Sequence, residues 1–99
     1  MYTQQEIIDK IVPILQNNYV KRSALFGSYA RNEQTENSDV DLLIEINDTQ
    51  LPDYVYVLWD CLEESLKLPI DIITFNAFND MLPRAKNKIS NEMRWLYEI

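Results

Sequence analysis

Three aspartates and one glycine carry the chemistry open to this chain. Asp39 and Asp41 stand two residues apart at the front of an apolar run, Val40-Asp41-Leu42-Leu43-Ile44. In a strand, residues at that spacing face one side, so the two carboxylates project together while Val40 and Leu42 turn to the core. Side by side, the carboxylates raise each other's pKa. A fold tolerates this readily when a divalent cation lies between them. Magnesium suits such a site, taking one or two carboxylates and filling its shell with phosphate oxygens and water. A solvated strand entry, with Ser38 in the turn, is the alternative. Asp71 shifts the balance. It lies among Ile70, Ile72 and Ile73, and a carboxylate inside such a strand is costly unless paired or metal-bound. Neighbouring strands are about 4.8 Å apart, so Asp71 can join the other two on one face. Three carboxylates can hold two metals about 3.5–4 Å apart for in-line nucleotidyl displacement. One ion would grip a triphosphate and the other would lower the pKa of an attacking hydroxyl. Asp71 is the candidate base. An EF-hand loop is disfavoured, because its glycine and closing glutamate are missing.

Gly27 is the only glycine in the chain, and Ser28 follows it at the end of another apolar run. Glycine lets the backbone turn sharply and lets a ligand approach. A short helix capped by Ser28 and running to about Asn32 would aim N–H groups and its positive end at an anion. By itself, Gly27-Ser28 reads first as a structural turn and only second as a phosphate site.

The elements that must position these groups follow from periodicity. Thr3 and Glu6 form a capping box, and Ile7, Ile8, Ile11, Val12 and Leu15 give a helical stripe that Pro13 should kink or weaken. Tyr19 to Phe26 reads as a strand, and Glu33 to Asn37 as a loop. Val40 to Ile46 makes a second strand. Asp48-Thr49 opens a helix with Pro52 in its first turn and Leu51, Val55, Leu58, Leu62 and Leu66 on its buried face. Pro69 stops it. Ile70 to Phe75 is a third strand. Asn79 or Asp80 caps a last helix, with Ala85, Ile89, Met93, Leu96 and Tyr97 buried. The order α, β, short α, β, α, β, α predicts a small α/β or α+β domain.

Ninety-nine residues argue for one domain, 1–99, near the lower end of independent folding size. No apolar run is long enough to span a bilayer, and the N-terminus lacks a signal-peptide pattern. With one cysteine and no histidine, a disulfide framework and the common zinc sites are excluded. Cys61 reads as a helix core residue, and a cytoplasmic location is expected. The net charge of −7 disfavours direct nucleic-acid binding. Polyphosphate would have to be held by backbone N–H groups, divalent cations or a few placed bases. Arg84, Lys86, Lys88 and Arg94 crowd the C-terminal end and read as a solvated helix face.

Gly27-Ser28-Tyr29-Ala30-Arg31, then six residues, then Ser38-Asp39-Val40-Asp41-Leu42 resembles the signature of the polymerase-beta-type nucleotidyltransferases. It most resembles their minimal form (MNT), stand-alone domains often paired with a HEPN-domain protein as antitoxin and toxin. The resemblance extends to Asp71 and to the ending Leu82-Pro83, Ile89, Glu92 and Leu96-Tyr97. It implies a mixed sheet of three or four strands flanked by helices. It also implies that Gly27 and Ser28 hold nucleotide phosphates and that Asp39, Asp41 and Asp71 are catalytic and bind magnesium, as two ions. Arg31 would brace the loop by an ion pair, with a triphosphate contact as the alternative. Asn32 stands where many relatives have glycine, but asparagine also tolerates a left-handed backbone.

Such enzymes add AMP from ATP to a hydroxyl, and some HEPN-paired members place it on a toxin tyrosine and silence its RNase. The leading expectation is therefore a magnesium-dependent adenylyltransferase acting on a HEPN partner. A second is a non-catalytic antitoxin that occludes its partner, with Tyr54, Tyr56, Trp59, Trp95 and Tyr97 as candidate anchors. Nucleotidylation of a small molecule comes third, because the chain has little room for a separate acceptor domain.

Overall fold

The structure is a computed structural model that describes residues 2–46 and 54–98. Thr3 and Glu6 form the expected reciprocal cap: Glu6 N donates to Thr3 Oγ1 (3.1 Å) and Thr3 N donates to Glu6 Oε1 (2.8 Å). The hydrogen bonds from Thr3 hold the Glu6 carboxyl below its ordinary range. Helix α1 (Gln4–Gln16) continues through Pro13 and buries Ile7, Ile11 and Leu15. It is followed by β1 (Val20–Phe26), α2 (Gly27–Ala30), β2 (Val40–Ile46), α3 (Tyr54–Leu66), β3 (Ile70–Thr74), α4 (Phe75–Asn79), α5 (Pro83–Glu92) and β4 (Arg94–Glu98). The expected helix entry at Asp48-Thr49, with Leu51 and Pro52, lies outside the described residues. Helix α3 ends at Leu66, three positions before Pro69, and Lys67 there takes a φ of 57°. This left-handed residue closes helices without any proline.

The strand order is β3-β2-β1-β4. Strands β2 and β3 run parallel, while β1 is antiparallel to both β2 and β4, so the sheet is mixed as expected. The parallel pair requires a crossover, and α3 lies between those strands in sequence. Alternation along the strands sends residues to two cores. Leu25, Val40, Leu42 and Ile44 pack with α1 and α3 through Ile7, Ile11, Leu15, Leu58, Leu62 and Leu66. Ala24, Phe26 and Leu43 pack on the opposite face with Phe75, Phe78 and Ile89 from α4 and α5. Cys61 is exposed rather than core. The buried stripe of α3 uses steps of four, Leu58, Leu62 and Leu66, and Cys61 falls beside it. Among the described residues, no helix is long and apolar enough to cross a membrane.

The C-terminal end departs from the sequence reading. The segment after Asp71 forms two helices, not one. Thr74 caps the first, its side chain accepting from Ala77 N, and Pro83 opens the second. The second stops at Glu92. Met93 is extended (ψ 147°), and Leu96 and Tyr97 belong to β4 rather than to a helical face. Spacings such as Met93, Leu96 and Tyr97 fit a helix turn, but pairing to the open side of β1 satisfies a row of backbone groups that would otherwise remain unpaired. Trp95 and Tyr97 also suit a strand by type. Tyr97 donates its hydroxyl to Val20 O at 2.7 Å, and burial pushes its pKa up to about 12. Tyr97→Phe should cost about 1 kcal/mol in urea unfolding and loosen amide protection along β4. An unchanged unfolding midpoint would mean that this bond does not hold β4 in place.

Candidate active site

The site grows from the end of β1. Phe26 pairs with Asp41 across the β1–β2 ladder, and the chain then turns at Gly27 with φ +74°, a conformation that side chains resist. Space imposes a second demand. A Cβ at Gly27 would meet the Asp41 carboxylate, which would have to turn aside, so the glycine leaves that carboxylate its place. Helix α2 starts at Gly27 itself, with Phe26 at the capping position and no side-chain cap. Ser28 therefore lies inside the first turn instead of capping it.

Both ends of this turn are held by groups that lie far away in sequence. Gly27 N donates to Glu92 Oε1 (3.0 Å), while Arg31 Nη1 donates to Glu92 Oε2 (2.8 Å) and Arg31 Nε to Glu33 Oε1 (2.7 Å). Glu92, first, and Glu33 favour the charged guanidinium and raise the Arg31 pKa. At the other end, Gln4 Nε2 donates to Tyr29 O (2.8 Å) and Ala30 O (3.1 Å), and Arg94 Nη1 donates to Gln4 Oε1. Asn32 leaves the turn with φ 60°, the left-handed conformation that asparagine tolerates.

A pocket of about 470 Å³ opens beside the turn, lined by Phe26, Gly27, Ser28, Arg31, Asp39, Asp41, Asp71, Ala85, Lys88, Ile89 and Glu92. All six residues singled out in the sequence are therefore brought together. Asp41 and Asp71 are direct partners in the parallel β2–β3 ladder. Asp71 is exposed, and β3 is an edge strand with Ile70 and Ile72 buried on its other side. Burial thus does not explain Asp71, because the apolar neighbours face the core while the carboxylate faces the pocket. Asp41 is half-buried, and its pKa is pushed up to about 6, first by burial, then by Asp71, Asp39 and Glu92, with Arg31 opposing.

Arg31 braces the turn, the ion-pair role expected of it. Glu92 and Lys88 were not singled out as site residues. They sit one helical turn apart on α5, a spacing that puts them on one face, but only the packing of α5 against α2 turns that face to the pocket. Among the described residues, no three Asp, Glu, His or Cys side chains already stand close enough to hold one metal ion. The donor set nonetheless fits a hard divalent cation. It is all carboxylate oxygen, and the repulsion from Asp71 and Asp39, which adds to burial in raising the Asp41 pKa, is what a cation would relieve.

The family model of the nucleotidyltransferase domain matches residues 8–96. The chain belongs to the nucleotidyltransferase domain family. A Methanocaldococcus jannaschii relative named as a protein adenylyltransferase is 46% identical over 88 residues, spanning 88% of this chain and 90% of its own length. Among solved structures, a toxin–antitoxin complex with AMP-PNP superposes with a TM-score of 0.73 at 22% identity, covering 93% of this chain and 73% of the other. The MNT antitoxin bound to a tri-AMPylated Shewanella oneidensis HEPN toxin superposes with a TM-score of 0.68 at 20% identity, covering 97% and 73%. These two establish a shared fold. This nucleotidyltransferase presents its acidic cluster at the carboxylate-bearing starts of β2 and β3, next to the Gly27-Ser28 turn.

Two substitutions test this geometry. Gly27→Ala incurs about 1–2 kcal/mol from its left-handed backbone and must also displace Asp41. It should lower the unfolding midpoint and abolish nucleotide transfer. Parental activity would mean that the turn and Asp41 can move apart freely. For Asp41, the folded pKa of about 6 lies above the ordinary 3.8, so the folded state binds more protons in that window and stability falls as pH rises through it. In metal-free buffer, Asp41→Asn should melt above the parent at about pH 7 and converge with it by about pH 4. Equal melting temperatures at both pH values would show that the crowding carries no penalty.

Proposed function

We propose that this nucleotidyltransferase moves AMP from ATP to a tyrosine hydroxyl of a HEPN-domain partner and thereby acts as an antitoxin. The observation that carries this reading is the convergence of Asp39, Asp41 and Asp71 with the Gly27-Ser28 turn in one pocket. The name of the M. jannaschii relative supports the adenylyl group. The AMP-PNP-bound complex and the tri-AMPylated toxin complex support the nucleotide and the partner.

Asp39, Asp41 and Asp71 would hold magnesium, which when bound supplies charge neutralisation for a triphosphate and an easier ionisation of the attacking hydroxyl. The chain's own groups do the rest. Ser28, with its hydroxyl and its place in the first turn of α2, orients the phosphates. Gly27 N–H is engaged by Glu92, so the glycine acts by making room rather than by donating to phosphate. The acceptor oxygen forms a bond to the α-phosphorus, the bond to the bridging oxygen breaks, and pyrophosphate departs. The hydroxyl proton passes to Asp71, whose exposure lets it hand the proton to water.

A second reading, neutralisation by occlusion, is favoured by the exposed Trp95 and Tyr56. The other candidate anchors, Tyr54, Trp59 and Tyr97, are committed to internal hydrogen bonds with Asn18, Ile70 O and Val20 O.

The deciding experiment incubates the chain with labelled ATP, magnesium and a HEPN-domain protein. Asp39→Asn should lose at least about a hundredfold of label transfer and lose neutralisation with it. If Asp39→Asn neutralises as the parent does, occlusion replaces catalysis. If it labels the partner as the parent does, the metal-binding role of Asp39 is wrong.

A further inference from the structure

Charge in the pocket is unevenly partnered. Four carboxylates line it, Asp39, Asp41, Asp71 and Glu92, against two cations, Arg31 and Lys88. Arg31 is saturated by Glu33 and Glu92. Lys88 has no ion pair among the described residues. Arg84, Lys86 and Arg94, the other bases of the C-terminal cluster, do not line the pocket. Lys86 lies over the Phe78 ring at 5.7 Å, and Arg94 is bonded to Gln4. Lys88 is thus the lining cation that remains available to an anionic ligand.

The position of Lys88 is fixed by what surrounds it on α5. Ala85, Lys88 and Glu92 recur at three- and four-residue steps, and all line the pocket. Glu92 is pinned to Gly27 N and Arg31, and Ile89 is buried in the core beside α4. The helix therefore cannot rotate, and Lys88 is held on the pocket side, about 6 Å along the axis from Glu92. A nucleoside triphosphate entering an acidic pocket needs positive charge on the phosphates that the metal-binding aspartates do not reach. A lysine ammonium is a compact, mobile charge suited to that task.

We propose that Lys88 binds the β- and γ-phosphates of the nucleotide and stays with the departing pyrophosphate. This rests on the nucleotidyltransferase reading above and adds a residue to it. Lys88 serves the phosphate tail and leaves the α-phosphate, ribose and base to other groups.

The test measures binding of MgATP, magnesium pyrophosphate and AMP to the parent, Lys88→Met and Lys88→Arg by titration calorimetry, with thermal melts alongside. Lys88→Met should bind MgATP and pyrophosphate about tenfold more weakly, bind AMP as the parent does, and melt unchanged. Lys88→Arg should recover to within about threefold of the parent. Parental pyrophosphate affinity in Lys88→Met overturns the proposal, as does an equal loss for AMP. A parent chain that binds no MgATP would instead sink the proposed transfer of AMP from ATP on which the proposal stands.

Discussion

The Asp41 carboxylate occupies the space where any side chain at position 27 would have to be, and the rest of the site depends on that contact. The left-handed backbone at the end of β1 (φ +74°) favours glycine there in its own right, and α2 starts at Gly27 itself. Beside this turn, burial first, and then the charges of Asp71, Asp39 and Glu92, oppose the ionisation of half-buried Asp41. Folding therefore concentrates negative charge at one edge of the sheet, and the cation-binding potential of the pocket is the same free energy seen from the ligand's side.

Supports from opposite ends of the chain hold that arrangement. Glu92 ties α5 to the start of the turn and to Arg31, and Gln4 ties α1 to its end. The sheet core on the α1 and α3 side gives both supports a rigid base through Leu25, Leu42 and Ile44. On the opposite face, α4 and α5 cover Phe26 and Leu43. The pocket lies where this thinner cover meets the acidic ends of β2 and β3. Its opening to solvent suits a site that must admit both a nucleotide and an acceptor from another molecule.

A short range of sequence was enough for much of this. Asp39, just before β2, and Asp41 within it both line the pocket, and the apolar residues from Val40 to Ile46 match the strand's limits, because strand patterning is local. The capping box of Thr3 and Glu6, the steps of four in α3 and the proline at the start of α5 are local as well. Asp71 does pair with Asp41 and line the pocket, but not because burial forces it to find a partner. Its neighbours looked like a fully buried strand, but an edge strand buries one side only. Leu96 and Tyr97 lie in β4 and not in a helix, because three- and four-residue spacing in a short stretch fits helix and strand alike. Pairing with β1 made the choice.

The sequence by itself determined which groups could do chemistry: three aspartates, a single glycine and a serine at spacings that fix their faces within each element. The tertiary structure decided what those groups meet. Parallel pairing of β2 with β3 set Asp71 beside Asp41. The docking of α5 brought Glu92 to the Gly27 N–H and Lys88 to the pocket, turning a stretch that reads as a solvated basic face into one wall of the site. The physical reason is range. Periodicity and capping act over a few residues, whereas the partner of Gly27 lies 65 residues away, at a meeting of elements that only packing specifies.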